Sequence, residues 1–143
     1  MATERRAEVT WTGDLMSGGG TIDSVGSGAF GPLDVSWAAR SEEPNGKTSH
    51  EELIAAAWAA CFAMALSAGL ARGGTPPERL ATSATVTFQP GEGIIKGALT
   101  VRGTVPGIDA AGFESAAQGA KENCPVSMAL TGIPEITLDA ALD

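Results

Sequence analysis

The most reactive side chains in this sequence are two thiols, Cys61 and Cys124, accompanied by a single histidine, His50. Cys61 lies in the middle of the uncharged stretch Leu53 to Ala71. Taken alone it reads as a buried thiol, because burial mid-helix raises a thiol pKa; a nucleophilic role requires an imported cation. Cys124 precedes Pro125 and falls near the cap of a short helix, where the helix dipole lowers a thiol pKa, although Cys before Pro also occurs in plain loops. His50, Glu51 and Glu52 stand together at a helix start. The simplest reading makes His50 solvent-facing and the two glutamates capping carboxylates. The sequence has no CxxC or HxxxH pair, so a four-ligand zinc site would need carboxylates to complete it. The glycine run Gly18 to Gly20 is followed by neither a helix nor a GK[ST] signature, which argues against a phosphate loop. Trp11, Trp37 and Trp58 read as core residues rather than stacking platforms.

The elements that must position these residues follow from periodicity. Ala7, Val9 and Trp11 alternate with polar neighbours as a first strand, Thr21 to Val25 reads as its returning partner, and Leu33, Val35 and Trp37 alternate as a third. The stretch from Arg40 to Thr48 reads as a polar loop around Pro44 and Asn45-Gly46. Ser49 and Glu52 have the spacing of a capping box that opens a long helix, and Arg72-Gly73-Gly74 stops it. A helix apolar on every side must be covered on every side, and one small sheet covers only one. A second chain is therefore expected against it. Its length would also suit a bilayer, but its alanine-rich, weakly hydrophobic composition and missing aromatic belt argue against a membrane span.

Beyond that helix, Ala84 to Phe88 and Ile95 to Val105 alternate as a long antiparallel hairpin. Asp109 caps a helix running to about Glu122 with Phe113, Ala116, Ala117 and Ala120 as its apolar stripe. Pro125 to Leu130 forms a short helix, since proline suits the first helical position. Ile136 to Leu142 forms a final strand. The order βββ-α-ββ-α-α-β argues for an α+β fold with antiparallel sheet, in one domain spanning 1–143.

Composition narrows the function classes. The chain has 143 residues, 43% of them apolar, enough to build a core. Its formal net charge of −8, from 9 Lys and Arg against 17 Asp and Glu, supplies no basic stripe for nucleic acid and disfavours anionic membrane surfaces. The polar start, Met1 to Glu8, does not read as a signal peptide, so a cytoplasmic location is expected. Two cysteines are too few for a disulfide-stapled secreted domain.

Several segments together resemble the OsmC/Ohr family, the osmotically inducible protein C and organic hydroperoxide resistance group. Glu51-Glu52-Leu53-Ile54-Ala55-Ala56-Ala57 with Ala60-Cys61-Phe62 and Met64-Ala65-Leu66 is similar to its peroxidatic helix. Trp11 to Leu15 with Gly18 and Gly20-Thr21 resembles its N-terminal hairpin. Pro106 to Asp109 resembles its strand-to-helix corner, and Ala120-Lys121 followed by Cys124-Pro125-Val126-Ser127 its resolving-cysteine segment. The resemblance spans nearly the whole chain. It implies an intertwined homodimer, antiparallel sheets wrapped around long central helices, and reduction of organic hydroperoxides without metal, haem or flavin. Cys61 matches the peroxidatic cysteine, Cys124 the resolving one and Glu51 the active-site carboxylate. The supporting arginine of the Ohr branch lies in the N-terminal hairpin, where Trp11 to Ile22 contains none. The OsmC branch carries it before the long helix, where this chain has Arg40, and that branch is assigned. Ser49-His50 replaces the usual Asn-Pro before the glutamate pair; Ser caps as well as Asn.

The chemistry implied by the resemblance is consistent. Arg40 stabilises a Cys61 thiolate and polarises the peroxide, held by paired hydrogen bonds to Glu51. Cys61 becomes a sulfenic acid, Cys124 condenses with it to a disulfide, and an external dithiol such as dihydrolipoamide returns the pair to thiols. An apolar pocket beside the Cys61 helix would favour organic peroxides. Glu51 and Cys61, ten residues apart on one helix, are separated by about 15 Å along its axis, so a shared role requires the partner chain or a bridging Arg40. Two competing readings are a redox sensor working through the same disulfide and a small-ligand-binding dimer with silent thiols.

Overall fold

The computed structural model describes all residues, Met1–Asp143. They divide into two compact units, Met1–Leu53 and Ile54–Asp143.

The first unit contains a three-stranded sheet in the order β1-β2-β3, formed by β1 (Ala7–Thr12), β2 (Gly19–Val25) and β3 (Leu33–Val35), both pairings antiparallel. Gly20, after the first turn, is there for space. Trp11 pairs with Gly20 across the hairpin, and a Cβ on Gly20 would lie 2.7 Å from the Trp11 ring. The sheet keeps little to itself: β1 is exposed along its whole length, with Val9 and Trp11 among its exposed residues, and Ile22 and Ala39 are the buried apolar residues of the unit.

The third strand ends at Val35, earlier than the alternation of Leu33, Val35 and Trp37 predicts. Ser36 adopts an extended conformation and its Oγ accepts the Ala39 amide hydrogen at 3.1 Å, capping a short helix, α1 (Trp37–Ser41). Arg40 therefore sits in a helical turn rather than at the start of a loop. The cap outweighs the β preference of a tryptophan at its end. The long helix α2 (His50–Arg72) then begins in this unit and continues through the next. Ser49 opens it as expected, its Oγ accepting from the Glu52 amide at 3.1 Å. The box is only half formed, because the Glu52 carboxylate accepts from the Thr48 hydroxyl instead.

In the second unit a three-stranded sheet, β4 (Arg79–Gln89), β5 (Gly93–Thr104) and β6 (Glu135–Leu142), carries α2 and α3 (Ala110–Asn123), with the single-turn helix α4 (Pro125–Ala129) between α3 and β6. Asp109 caps α3 as its sequence predicts, accepting from Gly112 N–H at 2.8 Å. From β5 the inward positions are Gly97, Leu99, Val101 and Gly103. The two glycines are the seats of two aromatic rings: a Cβ on Gly97 would meet Trp58 at 2.6 Å, and one on Gly103 would meet Phe113 at 2.7 Å. Around them Trp58, Phe62, Leu66 and Leu70 of α2 pack with Leu99, Val101, Val105, Phe113, Ala117 and Ala120. The four α2 residues recur every fourth position, so they form one stripe.

The antiparallel expectation holds for β4 and β5 but not for the last strand. β6 pairs parallel to β5, with Leu99 opposite Leu138. The helical connection through α3 and α4 carries the chain back to the end from which β5 started, and a crossover of that kind returns a strand in the same direction.

Candidate functional site

Two pairs of side chains stand out, one in each unit. The first is the thiols. Cys61 is half-buried on α2, beside the core stripe. Cys124 ends α3, its amide bonded to Ala120 O at 2.9 Å, and also caps α4. Its extended backbone, ψ 128°, is the conformation a following proline imposes, and Pro125 occupies the first position of α4. Cys124 is 0% exposed, packed within the cluster of Phe113, Ala117 and Ala120. Both cysteines are free thiols and their side chains are hydrogen-bonded to one another. The fold thus joins two residues from distant parts of the sequence, one open to reagents and one sealed.

Their electrostatics differ. Burial pushes the Cys61 thiol above its ordinary value, and the hydrogen bond with Cys124 adds to the rise. Burial acts upward on Cys124 too, but it is outweighed by hydrogen bonds from Cys61, from the Ser127 amide and hydroxyl and from the Val126 amide, so this thiol lies below the ordinary value. The directions are those expected of a mid-helix and a cap cysteine, but discrete donors account for the second.

The other pair is Arg40 and Glu51, in the first unit. Arg40 Nη2 donates to Glu51 Oε1 at 2.8 Å and Nε donates to Oε1 and Oε2 at 3.0 and 3.2 Å. The Glu51 carboxylate is buried and the guanidinium partly open. Such a fork fixes the guanidinium plane in a way a lysine could not. Glu51 is thus more than a capping carboxylate. Its neighbours behave as surface groups: His50 and Glu52 are exposed.

Ser127 escaped the sequence reading as a residue with its own chemistry. It is buried on α4, and its Oγ accepts the Trp58 indole N–H at 2.7 Å. The available signal was its spacing, three residues after the cap cysteine, which returns a helical side chain to the face of the cap. Trp58 is a core residue as expected, with this hydrogen bond in addition. No three His, Cys, Asp or Glu side chains converge as a metal site. The chemistry the thiol pair can perform is thiol–disulfide chemistry, and the Arg40–Glu51 fork offers a rigid cation.

Residues 43–139 match the family model described as OsmC-like protein, a match that runs through both units. The chain is 41% identical to the peroxiredoxin OsmC of Escherichia coli strain K12, over 99% of each sequence. Among solved structures it resembles an organic hydroperoxide resistance protein OsmC from Legionella pneumophila, with TM-score 0.70 and 24% identity over 95% of this chain and 96% of that one. It also resembles an organic hydroperoxide resistance protein from Elizabethkingia anophelis, with TM-score 0.71 and 21% identity over the whole of both chains. At those identities the two structures speak for the fold.

Proposed function

We propose, from the premise that this chain belongs to the OsmC-like family, that it is a cysteine-based peroxidase that reduces organic hydroperoxides to alcohols. The observation that carries the reading is the Cys61–Cys124 contact, in which a half-exposed thiol meets a sealed one. Its similarity to a protein named a peroxiredoxin supports the same class of chemistry.

The Cys61 thiolate attacks the distal oxygen of the hydroperoxide, the O–O bond breaks, and the alkoxide takes up a proton and leaves as alcohol. Cys61 is then a sulfenic acid. Cys124 attacks its sulfur, water departs, and the Cys61–Cys124 disulfide forms; an external dithiol, of the dihydrolipoamide kind, reduces it by exchange. A guanidinium brought beside Cys61 favours the thiolate on the attacking sulfur, and Arg40, held by Glu51, is the residue assigned to this task.

The functional unit in this reading is a cytoplasmic homodimer. The face of α2 opposite its core stripe is apolar and open: Ala57, Ala60 and Ala68 are exposed and Met64 is 75% exposed. By length and composition α2 would also suit a membrane. A second copy is the occupant proposed, because β1 of the first unit is likewise uncovered and leaves Val9 and Trp11 as further exposed apolar surface. Sedimentation at micromolar concentration is expected to give twice the 14.4 kDa of one chain. A 14.4 kDa species there overturns the dimer.

The decisive test of the activity is turnover of an alkyl hydroperoxide against hydrogen peroxide with dihydrolipoamide as reductant. Faster multi-turnover consumption of the alkyl substrate is expected. Equal rates overturn the organic preference, and no turnover of either overturns the peroxidase.

A further inference from the structure

We propose that the disulfide is reopened at one sulfur only: the incoming thiol attacks Cys61, Cys124 leaves, and Ser127, oriented by Trp58, is the positioning residue that receives the leaving thiolate. This rests on the disulfide cycle proposed above and adds its direction.

Access decides where the reductant strikes. Cys124 is 0% exposed, within the core cluster that includes Phe113, Ala117 and Ala120 of α3, whereas Cys61 is only half-buried. Exchange requires the attacking sulfur to approach along the S–S axis, so a thiol arriving from solvent meets Cys61 first. The stability of the leaving group points the same way, since a sulfur that is better stabilised as thiolate leaves faster. Cys124 is surrounded by donors. Hydrogen bonding to the Ser127 amide and hydroxyl and to the Val126 amide lowers its thiol, and the titratable group it meets is Cys61 itself.

The Ser127 hydroxyl is oriented rather than free to turn. Its oxygen accepts the Trp58 indole N–H at 2.7 Å, which leaves its own hydrogen to point away, toward Cys124. Trp58 is fixed in turn: it is fully buried and its ring lies on Gly97 of β5, where even a Cβ would come within 2.6 Å of it. The chain of contacts from β5 through Trp58 and Ser127 to Cys124 is a preformed receptor for a sulfur anion. The step balances without other reactants than a dithiol. One of its thiolates forms a bond to Cys61 Sγ as the Cys61–Cys124 bond breaks and Cys124 departs with the electron pair. Its second thiol then displaces Cys61, leaving a cyclic disulfide and two protein thiols.

The test maps the first adduct. The wild-type protein is oxidised to its disulfide, in parallel with cumene hydroperoxide and with diamide, treated briefly with 2-mercaptoethanol, quenched in acid and analysed by peptide mass spectrometry. A monothiol is used because it cannot complete the second displacement. The expected product carries mercaptoethanol on Cys61 with Cys124 free. Adduct on Cys124, or an even division, overturns the proposal, and so does failure of both oxidants to form the disulfide. Disulfide with diamide alone overturns the peroxidase reading while the adduct position still decides this one.

For Ser127, thiolate absorbance of Cys124 is titrated in a Cys61→Ser background. Adding Ser127→Ala is expected to move the Cys124 titration up by about one pH unit, through loss of a hydrogen bond to a charged group. Recycling in the Ser127→Ala single variant should slow by roughly three- to tenfold. Ser127→Thr keeps the hydroxyl and is expected to restore both, an outcome no loss of packing produces. An unmoved titration in Ser127→Ala, or no restoration by Ser127→Thr, overturns the role of Ser127; should the alanine variant not fold, the threonine variant and the adduct map remain decisive.

Discussion

Cys61→Ser is expected to abolish consumption of alkyl hydroperoxide, whereas Cys124→Ser consumes about one equivalent and then stalls. The difference follows from placement. Cys61 is the thiol a reagent can reach, so nothing in Cys61→Ser replaces its attack, and the loss should reach the background of the assay. Cys124 is sealed in the core and is not expected to meet the peroxide. Without it Cys61 still attacks once, but its sulfenic acid has no neighbour with which to condense and persists or oxidises further. The measurement is peroxide consumed per chain, followed by mass spectrometry of Cys61. A Cys124→Ser protein that turns over many times with dithiol, free of oxygen, would show that no resolving cysteine is needed. A Cys61→Ser protein that keeps turning over would displace the nucleophile altogether.

The second large effect concerns the Arg40–Glu51 fork. Glu51→Gln keeps the shape of the side chain but surrenders the charge that holds the guanidinium, and a fall in the rate of Cys61 oxidation of about 10²-fold is expected if the fork stabilises the reacting centre. Glutamine is the substitution of choice because removing Arg40 instead would strand a buried carboxylate, at a cost of about 3 kcal/mol in stability. The origin of the fork is separately testable. Glu51 and Cys61 are ten positions apart on α2, about 15 Å along the axis, so we expect each fork to serve the thiols of the partner chain. A mixed dimer of Cys61→Ser and Glu51→Gln chains distinguishes the cases. If the partner supplies the carboxylate, the intact Cys61, which lies on the Glu51→Gln chain, is served by the normal Glu51 of its partner and runs near the wild-type rate. If each chain supplies its own, that one working thiol stays impaired and sharing fails. Measurement per intact Cys61 makes the two outcomes differ by the full effect of Glu51→Gln.

Much of the architecture was legible because it is local. Ser49 and Asp109 announce their helices through hydrogen bonds spanning three residues, and the alternation of Leu99 and Val101 with Thr100 and Arg102 sets the buried face of β5 within a single strand. The thiols could be singled out by type, and the segments around Cys61 and Cys124 carried the family resemblance. Arg40 and Glu51 could be nominated from that resemblance, while their fork is a distance of the fold. Other features depended on contacts that no local pattern encodes. The capping hydroxyl of Ser36 decided that Trp37 begins a helix instead of prolonging a strand. The crossover through α3 and α4 decided that β6 runs parallel to β5, since strand direction depends on where a connection returns and not on which residues alternate. Tertiary packing also determined which thiol is sealed, and that a serine of α4 meets a tryptophan of α2. Burial and a hydrogen bond between residues 69 positions apart are properties of the assembled core, because only there does exclusion of water make one donor worth more than its residue type foretells.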